Sequence, residues 1–249
     1  MHPLHFSVKK KCHFWAGSRA FQTIHNQGVA GSCPAGPTTS NGFVIDRSIK
    51  NIIFDLGGVI LNLSVETTLR QISKLSGYPV EKVVEIYHAR PEFLAYEKGE
   101  ITNDEFRKSL KDIFGITSLD TELDLCWNAM LGDIPSERVE LLRELKAKYK
   151  TYLLSNTNAI HLDCFSGMVK KAHGLESLDP LFHKAYYSHL MKMRKPDAAI
   201  YEYVLNENGL KANETIFLDD NVANLKGAAS VGIQTFHVTH PDLIFSLFR

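Results

Sequence analysis

Short apolar runs punctuated by Asp, Gly and Ser occupy two parts of the chain, and apolar residues at helical spacing fill the stretch between them. The first run, Asn51-Ile52-Ile53-Phe54, is closed by Asp55 and then by Gly57-Gly58. A run too short for a helix and ended by turn residues predicts a buried strand leading into a tight turn. From residue 64 to 115 the spacing is helical. Val65, Leu69, Ile72 and Leu75 share one face, and Gly77 ends that helix. Pro79 opens a second helix carrying Val83, Val84, Ile86 and Tyr87. Thr102 and Glu105 have capping-box spacing ahead of Phe106 and Leu110, and residues 121–131, with Trp127, predict a further helix. No strand pattern interrupts residues 64–135, so an all-helical insert is expected there.

Beyond Pro135 the pattern alternates. A helix over 136–148 (Val139, Leu142, Leu145) precedes a strand over 151–154, and a helix follows at about 158–171. The series continues with strand 184–187, helix 197–208, strand 216–218, helix 222–231 and strand 233–238. Strands and helices taking turns predict an α/β fold, a Rossmann-like parallel sheet with helices on both faces. The expected division is a core from 49–63 and 136–249, a helical unit from 64–135, and an extension over 1–48 outside the fold.

Composition narrows the partners. The chain has 249 residues, 44% hydrophobic and 22% charged, enough for one large or two modest domains with a packed core. A formal net charge of zero leaves no electrostatic footprint for nucleic acid or an anionic membrane. No apolar run approaches the roughly 18 residues of a membrane span. The expectation is a small-molecule partner, no nucleic acid or membrane, and a monomer or weak dimer. Cys12, Cys33, Cys126 and Cys164 show no CxxC spacing, which argues against a disulfide framework or zinc site and fits a reducing, cytoplasmic setting. Residues 1–45 carry Lys9, Lys10, Lys11 and Arg19 without an acid, and 26–42 are rich in Gly, Ser, Thr and Pro. Transit peptides, disordered extensions and translated upstream sequence share that composition; a disordered extension is the expectation.

In an open α/β sheet, ligands bind at the carboxyl ends of the strands. Four polar clusters fall at those predicted ends. Asp55 follows a buried strand and precedes two glycines, which lets backbone amides approach an anion. A carboxylate so held can attack phosphorus, although an Asp capping a turn looks the same. Ser155 and Asn156 offer a hydroxyl and an amide near a helix N-terminus, suited to phosphate oxygens or to ordinary capping. Lys195, in Arg194-Lys195-Pro196-Asp197, is a cation for a phosphoryl group or part of a solvated basic loop. Asp219 and Asp220 repel each other unless a cation sits beside them, and Mg²⁺ takes few carboxylates plus water and phosphate oxygens. A surface acidic turn is the other reading of that pair.

In their order and spacing, FDLGGV at 54–59, LLSNTN at 153–158, RKP at 194–196 and FLDDNVANLKGA at 217–228 resemble the motifs of the haloacid dehalogenase superfamily. The resemblance covers roughly residues 49–249, and the helical insert is similar to that family's cap. FLAYEKGEITNDEF at 93–106 and MRKPDAAIYEYVL at 193–205 look like its bacterial sugar-phosphate phosphatase branch, which includes glucose-1-phosphate phosphatases. The resemblance implies Asp55 as nucleophile and Mg²⁺ held by the Asp55 carboxylate, the Gly57 carbonyl and the Asp220 carboxylate. It puts Ser155, the Asn156 amide and Lys195 on the phosphoryl oxygens, with Asn224 behind them. Asp219 would act through metal-bound water or orient Lys195. The implied activity is a Mg²⁺-dependent phosphatase for a small phosphorylated metabolite, a sugar phosphate being the expectation, working through an aspartyl-phosphate.

One position departs from the family pattern. The second aspartate, two residues after the nucleophile, is Gly57 here. Metal binding through a backbone carbonyl survives, but general acid–base help of about 10²–10⁴-fold is lost. The substrate then has a good leaving group, as an anomeric sugar 1-phosphate does, or a cap residue or water supplies the proton, with His88, Glu97 and Glu100 as candidates. The alternative is a phosphate-pocket binding or regulatory protein with feeble turnover. A 2-haloacid dehalogenase is a minor alternative; that branch needs no metal and does not keep an adjacent acid pair. Trp127, Tyr96 and Phe93 are expected in the cap core, and His161 on a helix surface.

Overall fold

The computed structural model describes residues 46–248, so the expected extension lies almost wholly outside the described residues. Among the described residues five strands form one parallel sheet: β1 (Asn51–Phe54), β2 (Lys150–Ser155), β3 (Lys184–Tyr187), β4 (Thr215–Asp219) and β5 (Gln234–His237). Their order is β3-β2-β1-β4-β5. The chain winds outward from β1 to β3, then returns to the other side of β1 to place β4 and β5. That reversal puts a topological switch point beside the carboxyl end of β1.

Helices α1 (Val65–Ser76), α2 (Val80–Ala89), α3 (Glu92–Glu97), α4 (Asn103–Phe114) and α5 (Asp120–Asn128) lie between β1 and β2. After them come α6 (Ser136–Lys148), α7 (Ala159–His173), α8 (Ser188–Met191), α9 (Ala198–Asn208), α10 (Val222–Ser230) and α11 (Leu243–Phe248). The predicted punctuation is present. Gly77 caps α1 at φ 71°, a left-handed backbone that costs glycine little. Thr102 and Glu105 close a reciprocal capping box on α4. The observed strands begin or end one residue from several predicted limits, and α11 has no counterpart in the sequence reading.

Alternate strand residues separate into two cores, as the period of two requires. Ile52, Phe54, Leu153, Ile216 and Leu218 face one side and pack with Val139 and Leu142 of α6, Phe165 and Val169 of α7, and Ile244 of α11. Ile53, Tyr152, Leu154 and Phe217 face the other side and pack with Ile200, Tyr201 and Val204 of α9 and Leu225 and Ala228 of α10. Both faces are therefore covered, which all-parallel sheets need. A third core joins the helices of the insert around Phe93, Tyr96, Phe106 and Trp127, with the Tyr96 and Phe106 rings stacked 3.9 Å apart. Its only α7 member is Ile160, whose N–H donates to Tyr96 Oη at 3.2 Å, so the helical cap is seated on the start of α7.

Candidate active site

The sheet register brings the chemistry together. Phe54 is level with Leu153 on one side and Leu218 on the other. The next residues of the three central strands therefore emerge at one edge: Asp55 in the middle, the end of β2 on one flank, and Asp219 on the other. The Asp55 N–H continues the ladder, donating to Leu218 O at 2.8 Å.

Lys195 binds this edge together. Only 1% exposed, its Nζ donates to Asp55 Oδ1 at 2.6 Å and to Asp219 Oδ2 at 2.8 Å. Burial alone would lower the lysine pKa, but Asp219 and Asp55 outweigh it and raise it, so the ammonium is secured. The lysine backbone is fixed in turn by the Asn156 side chain, which accepts from Lys195 N and donates to Lys195 O, each at 2.9 Å. Asp219 is fully buried, accepts from Asn221 N at 2.7 Å, and receives Asn224 Nδ2 on both oxygens at 3.1 and 3.0 Å. The Asn224 carbonyl is held by Tyr201 Oη at 2.8 Å.

Asp220 completes the cluster. One carboxylate oxygen from each of Asp55, Asp219 and Asp220 lies within 4.8 Å of the others. Gly58, at φ +72°, makes room for it, because a Cβ there would stand 2.6 Å from Asp220 Oδ2. Burial, then the Asp55 and Asp219 charges, push the Asp220 pKa up to about 8. Burial also pushes Asp55 up to about 6, with Lys195 opposing and Asp219 adding to the rise. With all three carboxylates ionised, one ammonium leaves two negative charges uncompensated, which is why protonation of Asp220 is favoured in the absence of a cation. A hard divalent cation fits that deficit and that all-oxygen donor set, and Mg²⁺ is such an ion.

A cavity of about 60 Å³ is lined by Leu56, Gly57, Ser155 and Asn156 at the sheet edge, without Asp55, Lys195, Asp219 or Asp220. Glu97 and Tyr87 of the helical insert and His161 of α7 add polar lining; Leu61, Leu63, Met130, Leu131 and Phe165 supply apolar surface. Gly57 does not adopt a left-handed backbone, but the space a Cβ would take is filled: Leu63 Cδ2 would lie 2.9 Å away.

The candidate proton donors fare differently. His88 is exposed, and neither it nor Glu100 lines the cavity. Glu97 lines it but is engaged: Arg194, the neighbour of Lys195, donates to Glu97 Oε2 through Nε at 3.1 Å and Nη2 at 2.9 Å. Ser188 Oγ accepts from Thr157 N at 2.9 Å and donates to Glu97 O at 2.7 Å, so the end of α3 is tied to the loop after β2 and to the start of α8. No sequence spacing signals this tie, although Arg194 and Glu97 stand inside two of the quoted motifs. His161, expected on a helix surface, is instead 6% exposed and stacked on Trp127 at 5.1 Å with an 8° interplanar angle. Trp127, Tyr96 and Phe93 do belong to the cap core.

A buried ammonium paired to two carboxylates, with a third acid beside them, stands at the carboxyl edge of a doubly wound parallel sheet. Residues 49–232 match the haloacid dehalogenase-like hydrolases, and the chain belongs to that family. Over 188 residues it is 28% identical to the D-ribitol-5-phosphate phosphatase of Bacteroides thetaiotaomicron, covering 76% of this chain and 91% of that one. A HAD-family enzyme of the same organism, solved with magnesium and inorganic phosphate, superposes with a TM-score of 0.69 at 36% identity, over 76% of this chain and 93% of that one. A HAD-like hydrolase from Porphyromonas gingivalis gives a TM-score of 0.69 at 30% identity, over 76% of this chain and 91% of that one. Among the described residues no helix is long and apolar enough to cross a membrane.

Proposed function

We propose that the chain is a Mg²⁺-dependent phosphatase for a small phosphorylated metabolite, a sugar or polyol phosphate, with Asp55 as the nucleophile. The observation that carries this reading is the pinned carboxylate. Lys195 holds Asp55 at the sheet edge beside two further acids, and the next residues, Leu56 and Gly57, line a cavity with Ser155 and Asn156. The relatives that bind magnesium and phosphate, or act on D-ribitol 5-phosphate, support it.

In this reading Asp55 attacks phosphorus, the ester P–O bond breaks, and the leaving oxygen takes a proton from water. Water then attacks the phosphoryl group on Asp55, which releases inorganic phosphate and restores the carboxylate. Lys195 neutralises Asp55 and a phosphoryl oxygen, while Ser155 and the Asn156 amide hold the others. Asp219, fixed by Asn221 and Asn224, orients Lys195. Asp55, the Gly57 carbonyl and Asp220 would hold Mg²⁺, which when bound offsets the charge of the phosphoryl group and its nucleophile. Residues 64–135 act as the cap that excludes water, and 49–63 with 136–249 as the core. The free thiols of Cys126 and Cys164 suit a reducing cytoplasm.

Leu63 beside Gly57 sustains a second reading, a phosphate-binding protein with slow turnover, because apolar side chain fills the room an acid would need. The three-acid cluster disfavours a dehalogenase, whose anionic substrate would gain nothing from it. A panel of phosphate monoesters, assayed with Mg²⁺ and with EDTA, separates these. Metal-dependent release of phosphate supports the phosphatase; tight binding without release supports the second reading; halide release from 2-haloacids overturns both.

A further inference from the structure

His161 is a built-in acceptor with an unclaimed lone pair. Its backbone N–H donates to Asn158 Oδ1 at 3.0 Å, and its ring is clamped against Trp127. Nδ1 lies 2.8 Å from Asn128 Oδ1, the last residue of α5. An amide oxygen accepts, so Nδ1 carries the proton and Nε2 carries the lone pair. Among the described residues Nε2 has no hydrogen-bond partner, while the ring lines the cavity beside Ser155 and Asn156. Several neighbours there are engaged: Glu97 Oε2 with Arg194, Asn158 Oδ1 with the α7 N-terminus, and the Asn156 side chain with Lys195, while Tyr87 also lines the cavity. Burial holds the imidazole pKa down, to about 3, so the ring stays neutral at ordinary pH.

A neutral acceptor clamped in a cavity wall selects a donor. The surrounding Leu61, Leu63, Met130 and Leu131 favour an uncharged donor over an ammonium group. We propose that His161 Nε2 accepts a hydrogen bond from a hydroxyl of the substrate's leaving group, close to the ester oxygen. It thereby selects polyol and sugar phosphates over alkyl phosphates. This rests on the phosphatase reading of the same site. It makes His161 a specificity residue, supplied by α7 of the core and oriented by Trp127 and Asn128 of the insert.

The test compares kcat/KM for glycerol 3-phosphate and n-propyl phosphate, with phosphoethanolamine as the cationic probe, all with Mg²⁺. The wild type should prefer glycerol 3-phosphate by about tenfold or more, since a site built for a hydroxyl rejects the analogue lacking it. In His161→Phe, which keeps a ring against Trp127, that ratio should fall towards one, chiefly through KM for glycerol 3-phosphate. His161→Gln, which retains an acceptor, should recover part of it. A wild-type ratio near one, an unchanged ratio in His161→Phe, a parallel loss on both esters, or a preference for phosphoethanolamine overturns the proposal. Those outcomes leave the phosphatase reading standing, because phosphate is still released. Release from none of the three esters removes that reading and the proposal with it.

Discussion

Gly57→Asp isolates the consequence of the missing acid. A Cβ at 57 would meet Leu63 Cδ2 at 2.9 Å, whereas carbon pairs settle near about 3.5–4.0 Å. The leucine tip must therefore retreat by roughly 0.6 Å or more. Leu63 packs against both the sheet core and the cap core, so the movement is resisted on two sides. Overpacking of this kind costs about 1–3 kcal/mol. For a chain of this size that is a melting temperature lower by about 2–4 °C per kcal/mol. Leu63→Val deletes the offending carbon and suits the extended backbone that pairs with Leu131. Gly57→Asp/Leu63→Val should thus be more stable than the sum of the single changes by about 1 kcal/mol, in thermal melts with Mg²⁺ present. On n-propyl phosphate, a poor leaving group, the double variant should gain turnover on the order of 10²-fold, and Gly57→Asp alone less. Strict additivity in the melts would show that Leu63 does not obstruct position 57. A double variant no faster than wild type would show that proton transfer is not what limits the enzyme.

Three further outcomes follow from the same geometry. With Asp220 pushed up to about 8, protonation of its carboxyl is favoured in the folded state, so the metal-free protein should lose stability as pH rises from about 5 to 8. Mg²⁺ or Asp220→Asn should flatten that slope in pH-resolved melts; an unchanged slope would place the repulsion elsewhere. His161 acts with the opposite sign. Its pKa falls from 6.5 to about 3 on folding, so its contribution is complete above 6.5 and declines by up to about 1.4 kcal/mol per pH unit below it. His161→Phe should therefore reduce acid lability, and equal acid unfolding of the two proteins would count against a buried neutral ring. Glu97→Ala removes the acceptor of two Arg194 N–H bonds from a side chain 5% exposed, and should cost about 3–5 kcal/mol. Glu97→Ala/Arg194→Met should regain most of that, and a double-mutant coupling near zero would mean the pair does not tie α3 to the Lys195 loop.

Sequence legibility followed the range of the interaction. The central strands were readable because Ile52-Ile53-Phe54 and Ile216-Phe217-Leu218 are buried on both sides and stay apolar throughout. The polar residues at their ends were readable because a parallel sheet collects its strand ends at one edge. Gly77 and the Thr102–Glu105 box marked helix ends through contacts a few residues apart. What escaped depends on distant partners. The burial of His161 is made by Trp127 and Asn128, and the role of Arg194 by Glu97, 97 positions away. Nor does sequence spacing show that Leu63 fills the space beside Gly57, or that the Asn156 side chain bonds the Lys195 backbone. Helix α11 went unread because Leu243–Phe248 is a short, almost wholly apolar stretch that fits strand and helix equally.

The central claim is that Asp55 carries the phosphoryl group during turnover. Turnover in Mg²⁺ of a hydrolysed monoester, quenched in acid within the first cycle and followed by peptide mass analysis, tests it directly. A phosphorylated peptide containing Asp55 is expected, absent in Asp55→Asn and in EDTA. Phosphate release by Asp55→Asn at the wild-type rate, or a phosphoryl group trapped on another residue, would contradict it.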